Sequence, residues 1–229
     1  MVGEEKIHAE LASGKTDAEK VAAGILSDGQ LLASVFRGAT SKLPRVKFGC
    51  SKALMLLSAK QPELLYPEID NVVGLLDSDN QILKWNAIAI LGNLAAADHE
   101  RRVPGVTRRL LSYLSCGELI TVNNVIAALG KIGRAHPGEQ AEIASRLIAV
   151  EKCSFNTAEC RNIAVGKALL ALDMFLEHGG ASMEAIEFAR RQTGNRRAAT
   201  AKKAKALLRK LSPQHSKKRP MECASLLAP

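Results

Sequence analysis

Cys160 is the side chain best placed by type for nucleophilic chemistry. It stands between Glu159 and Arg161 near the start of a helical segment, where a helix N-terminus lowers a thiol pKa. A base would have to lie within hydrogen-bond reach. His178, at the far end of the same segment, is 18 residues on, about 27 Å away at roughly 1.5 Å per helical residue. No Cys–His pair forms within that unit, and a structural thiol is the better reading. The five cysteines, Cys50, Cys116, Cys153, Cys160 and Cys223, contain no CxxC pair, so neither a zinc site nor a disulfide framework is indicated. Buried thiols in a reducing compartment are expected instead. The glycine-bearing stretches GRAHPGEQ and HGGAS lack the spacing and the following Lys-Ser/Thr of a phosphate-binding loop. The sequence therefore assigns no catalytic residue, no metal and no cofactor.

Charge offers a different chemistry. The net charge is +9, yet residues 190–219 hold 12 Lys/Arg and no Asp or Glu, leaving a balance of −3 over the remaining 199 residues. Arg196, Arg197, Lys202, Lys203 and Arg209 could meet nucleic-acid phosphates without reading sequence. No aromatic residue interleaves these charges, so stacking on single strands is not supported. An exposed terminal helix also needs polar residues, which is the simpler use of the cluster.

The elements that must position these groups are helices. Aromatics make up 3% of the chain against 47% hydrophobic residues overall, so Ala and Leu carry the burial, as suits helices packed through small side chains. No stretch approaches the roughly 18 apolar residues of a membrane span, and the N-terminus lacks a basic region followed by an apolar one, so a cytoplasmic protein with no membrane partner is expected.

An apolar quartet recurs at helical spacing: Cys50/Ala53/Leu54/Leu57, Ala87/Ile90/Leu91/Leu94, Val125/Ala128/Leu129/Ile132, Val165/Ala168/Leu169/Leu172 and Ala204/Leu207/Leu208/Leu211. Its third members are 37, 38, 40 and 39 residues apart. The spacing places each quartet on one face of a helix. These second helices are predicted over 44–60, 79–97, 118–135, 157–177 and 195–211. A first helix precedes each, over 28–39, 65–77, 104–115, 138–151 and 181–192. Asn156 followed by Glu159 reads as a capping box for the fourth second helix. A short extra helix is expected around 17–26, residues 1–15 form an N-terminal segment, and 212–229 read as a basic tail.

Two helices per unit at this period resemble the HEAT/armadillo class of α-solenoid, with LLDSDNQILKWNAIAILGNLAAAD and ITVNNVIAALGKIGRAHP carrying the likeness. The resemblance spans about residues 16–211 and implies an all-α, right-handed α-α superhelix of about five HEAT-like helix pairs. It implies a basic residue in each second helix paired to an Asp in the turn. Asp79 with Lys84 fits and Lys47 is equivalent, whereas Val122 and Asn162 break the ladder.

In such a stack the second helices line the concave side. Positions opposite the quartet are Phe48/Lys52/Met55, Trp85/Ala89/Gly92, Asn123/Ala127/Gly130, Ile163/Lys167/Leu170 and Lys202/Ala206/Arg209. Phe48, Lys52, Lys84, Trp85, Asn123 and Lys167 are thus the candidate surface for a protein or peptide partner, with Phe48 and Trp85 as aromatic anchors. The competing use of both aromatics is packing between neighbouring second helices. A row of Lys84/Asn86, Asn123/Asn124 and Arg161/Asn162 suits hydrogen bonding between repeats better than ligand recognition.

Enzymes of this architecture fit poorly. HEAT-like di-iron hydroxylases use several His-Glu pairs, and only His99-Glu100 occurs; HEAT-like DNA glycosylases use aromatic pockets, and Trp85 is the sole Trp. No motif of the HEAT-like bilin lyases is matched. The sequence favours a non-enzymatic interaction scaffold, with nucleic-acid association through the basic end as the rival.

Overall fold

The computed structural model describes residues 2–176 and 182–211. The expected tail and His178 lie outside the described residues. Three helices open the chain: α1 (Val2–Ser13), α2 (Ala18–Ser27) and α3 (Leu31–Ala39), leading into α4 (Pro44–Lys60). The next first helix is broken by Pro67 into α5 (Pro62–Leu65), a 3-10 turn and α6 (Ile69–Leu75). After it come α7 (Gln81–Leu94), α8 (Val103–Ser112), α9 (Leu119–Ala135), α10 (Gln140–Ala149), α11 (Ala158–Leu176), α12 (Met183–Gln192) and α13 (Ala198–Leu211). No strand occurs among the described residues.

Local chemistry sets the starts of these helices. Asp17 accepts from the Lys20 N–H, and Asn80 from the N–H groups of Ile82 and Leu83, which satisfies donors that a first turn otherwise leaves orphaned. Pro44 begins α4, where its missing N–H costs nothing. The fourth second helix departs from the expected cap. Thr157 Oγ1, not Asn156, accepts from the N–H of Cys160, and Glu159 turns outward to Arg197 Nε at 2.8 Å.

The first four quartets are buried throughout; in the last, Leu208 and Leu211 are half-covered because no unit packs beyond α13 among the described residues. The second helices α4, α7, α9, α11 and α13 lie side by side in one layer, while the first helices touch one another sparsely in the other. This closer packing of the second helices is what is expected if they line the inner side, as the resemblance implies. Glycines allow the close approach. A Cβ on Gly92 would stand 2.7 Å from Ala128 Cα, and one on Gly130 would stand 3.1 Å from Ala171 Cα. At the other end α1 is packed as well as helical, with Leu11 buried over Gly49 of α4.

Candidate interaction surfaces

Stacking covers both flanks of every second helix but α13, which leaves a strip narrower than a single-helix wheel implies. Gly92 and Gly130, expected to face outward, are buried against the next helix. The outward strip follows a seven-residue step: the exposed Ile82, the half-buried Ala89 and the exposed Ala96 on α7 and its 3-10 extension, and the exposed Ile120, Ala127 and Arg134 on α9. Ile82 is 42% exposed and Ile120 55%, at equivalent places on neighbouring helices. Leu170 of α11 is 42% exposed beside the exposed Lys167. Sequence reading included Leu170 among outward positions but missed Ile82 and Ile120, which sit a turn before its outermost marker.

The sequence-selected residues divide between surface and seam. Lys52 is exposed but holds Glu19 of α2 at 2.8 Å, and this hydrogen bond pulls the Glu19 carboxyl below its usual pKa. Phe48, Lys84 and Asn123 are half-buried, and Lys84 makes no ion pair with Asp79. Trp85 is half-buried too, and its Nε1–H donates to Thr121 Oγ1 of α9 at 2.8 Å, while Thr121 donates on to Glu118. The indole is therefore part of the seam between repeats. Trp85→Phe keeps the ring and loses this bond, so urea unfolding should show a loss of about 0.5–1.5 kcal/mol. Unchanged stability would remove Trp85 from the seam.

Of the expected polar row, Asn86 and Asn162 bond across seams between repeats, whereas the buried Asn123 Oδ1 has no hydrogen-bond partner; Asn93, Asn195 and Thr200 add further seam bonds. Asn86 Nδ2 donates to Ser51 Oγ at 2.8 Å, Asn93 Nδ2 to Ser58 Oγ at 2.9 Å, and Asn195 Nδ2 to Asn162 Oδ1 at 3.2 Å. Thr200, fully buried, donates to the Asn162 carbonyl at 2.8 Å. Each pairs a buried or half-buried polar group across a helix seam, which holds neighbours in register. Asn124 instead bonds back to its own helix at Ile120 O.

The basic end is partly committed. Arg191 pairs with Glu151 at 2.7 Å, Arg197 with Glu159 at 2.8 Å and Lys210 with Asp173 at 2.8 Å, so these cations join α12 and α13 to the preceding unit. Arg196, Lys202 and Arg209 are exposed. Burial, followed by the nearby charges of Lys167 and Arg197, holds the Lys203 ammonium below the usual lysine range.

A buried polar centre that sequence reading did not anticipate joins the second and third units. Asp98, with no exposed side-chain surface, accepts from Tyr66 Oη–H at 2.6 Å, from the Arg102 N–H at 2.7 Å and from the Val103 N–H at 2.9 Å. His136 Nε2 approaches its Oδ2 to 3.1 Å without hydrogen-bond geometry. The carboxylate thus caps α8, and burial plus donation to Asp98 raise the Tyr66 phenol pKa. Tyr66 and the two N–H groups at the start of α8 are bonded to Asp98, whereas the buried His136 Nε2 has no hydrogen-bond partner.

The thiols differ from expectation. Cys50 is buried, but Cys116 is exposed and Cys153 and Cys160 are half-exposed, because the latter three lie at helix ends rather than in a quartet; Cys223 lies outside the described residues. Burial pushes the Cys50 thiol to about 12. Among the four described thiols, an alkylating reagent at neutral pH should label Cys116 first and Cys50 only on unfolding, read by peptide mass spectrometry. Early labelling of Cys50 would contradict this packing. Among the described residues no group of three or more His, Cys, Asp or Glu could hold a metal, and no helix is long and apolar enough to cross a membrane.

No protein-family model and no curated protein matches the chain. Solved structures do. A designed armadillo repeat protein, YIII(Dq)4CqI, superposes with a TM-score of 0.62 at 18% identity, covering 91% of this chain and 92% of its own. An engineered protein from a structural genomics consortium gives a TM-score of 0.58 at 18% identity, covering 91% of this chain and 89% of that one. The likeness shows the fold, a HEAT/armadillo-like α-solenoid.

Proposed function

Taking the chain as a HEAT/armadillo-like α-solenoid, we propose that it is a non-enzymatic scaffold whose inner helical face binds a protein or peptide partner. The observation that carries this reading is the pair Ile82 and Ile120, large apolar side chains left 42% and 55% exposed on an otherwise closely packed layer. The half-buried Phe48, Lys84, Trp85 and Asn123 and the exposed Lys52 and Lys167 lie on the same layer of second helices. A partner segment with apolar residues spaced to meet α7 and α9, and acidic ones toward Lys167, suits this surface.

Selection from a displayed random-peptide library on the immobilised protein tests the reading. Selected peptides should combine apolar and acidic residues, and Ile82→Asp/Ile120→Asp should weaken them at least about tenfold, as expected for removal of central apolar anchors. Both side chains are exposed, so circular dichroism should be unchanged. Peptides that bind the double variant as well as the wild type would refute the inner face as the site.

A second reading draws on Arg196, Lys202 and Arg209, exposed beside Lys203 and Arg197: association with nucleic-acid phosphates. Labelled DNA or RNA should then bind at low salt, release at high salt and fail with Arg196, Arg197, Lys202 and Lys203 changed to Ala. Salt-insensitive or absent binding would leave the cluster as a polar end cap.

A further inference from the structure

A cavity of about 870 Å³ opens where α4, α7 and α9 end. Small residues make the room for it, among them Gly92, Ala96 and Ala135. Its volume falls within the roughly 300–1,000 Å³ usual for small-molecule pockets. Arg101, Lys131 and Arg134 line it together with His99 and His136, against the acids Glu63 and Asp98.

Charge is unbalanced inside. Asp98 is already committed to Tyr66 and to two backbone N–H groups, and Glu63 is exposed. Among the described residues none of Arg101, Lys131 and Arg134 makes an ion pair; Lys131 Nζ donates only to the Asn93 amide oxygen. Burial and the neighbouring Arg134 lower the Lys131 pKa, the behaviour of a half-buried cation without a counter-charge. Cations in a last helical turn also complement its carbonyls, but the Gly133 carbonyl of α9 already accepts from Gln140 Nε2 at 2.8 Å.

Arg101 is held in an unusual way. It is a non-glycine residue at φ 57°, and its N–H donates to Asp98 O at 3.3 Å. The turn that carries Arg101 is thereby tied to Asp98; Arg101 lines the cavity, and its Nη2 lies 3.9 Å from the Cβ position of Gly138 at the start of the next unit.

We propose that this cavity binds a phosphoryl group, held by Arg101, Lys131 and Arg134. Two guanidinium forks and an ammonium lining one cavity, Arg101 from the turn before α8 and Lys131 and Arg134 from α9, suit an oxyanion with several acceptor oxygens. The group could arrive on a free small phosphate or on a phosphorylated residue of a peptide.

Amide chemical shifts of the full chain decide it, with inorganic pyrophosphate in one titration and a phosphoserine peptide beside its unphosphorylated form in another. Supporting results are saturable shifts at Lys131, Arg134 and Arg101 with pyrophosphate, or with the phosphopeptide alone, which would name the peptide as the source. Arg101→Gln and Arg134→Gln should each weaken binding about tenfold, the loss of one charge-assisted contact. Shifts confined to Lys202, Lys203 and Arg209, equal shifts with the unphosphorylated peptide, or no shifts with either ligand would overturn the proposal. A failure here leaves the Ile82–Ile120 surface untouched, because that surface is tested by different substitutions.

Discussion

Asp98→Ala should lower stability by about 3–5 kcal/mol, one of the two largest losses expected from a single substitution in this chain. The carboxylate has no exposed side-chain surface and accepts from the Tyr66 hydroxyl and the N–H groups of Arg102 and Val103. Removing it strands a buried phenol and uncaps α8 in the same step. Asp98→Asn should cost less, about 1–3 kcal/mol, because its amide oxygen still accepts while its NH2 meets donors. Since Asp98 ties Tyr66 of the second unit to the start of α8, hydrogen exchange should rise first in α8 and in the turn at residues 98–102. Asp79→Ala, exposed and without an ion pair, serves as the control and should stay within about 0.5 kcal/mol of wild type. An Asp98→Ala protein as stable as that control would mean that the buried cluster holds nothing together.

The period of the fold was legible because burial of a quartet repeats locally. Cys50, Ala87, Val125 and Val165 each open a buried stripe that a helix wheel detects from the chain alone. The surface was less legible, because a wheel knows one helix and not its neighbours. It placed Gly92 and Gly130 outside, whereas the next second helix covers that flank, and it stopped short of Ile82 and Ile120, where the exposed strip begins. The buried centre was hidden for a related reason. Tyr66, Asp98 and His136 meet from two neighbouring units, 32 and 38 residues apart, and no local pattern links them. Asn86 and Asn93 were the visible trace of such long-range pairing, since amides in a helix interior need a partner.

Gly92→Val should be the other large loss, and the sign of the smaller change Gly92→Ala shows why. In an isolated helix Ala is better than Gly by about 1 kcal/mol. At Gly74 and Gly105, where nothing lies within 4 Å of the Cβ position, substitution by Ala should therefore stabilise by roughly 0.5–1 kcal/mol. At Gly92 the same Cβ would lie 2.7 Å from Ala128 Cα and 2.9 Å from its Cβ. The obstacle is backbone, so no rotamer relieves it, and α7 and α9 must separate along their length. Overpacking of this kind costs about 1–3 kcal/mol, which outweighs the propensity gain; Val adds two further methyls and β-branching and should exceed that range. Parting α7 from α9 also strains the Trp85–Thr121 and Asn93–Lys131 bonds and moves Ile82 away from Ile120. Gly92→Ala should thus weaken both urea stability and peptide binding, whereas Gly74→Ala raises the first and leaves the second alone. If Gly92→Ala proved as benign as Gly74→Ala, the close helix approach expected of an inner layer would not exist, and the binding face would have to be sought elsewhere.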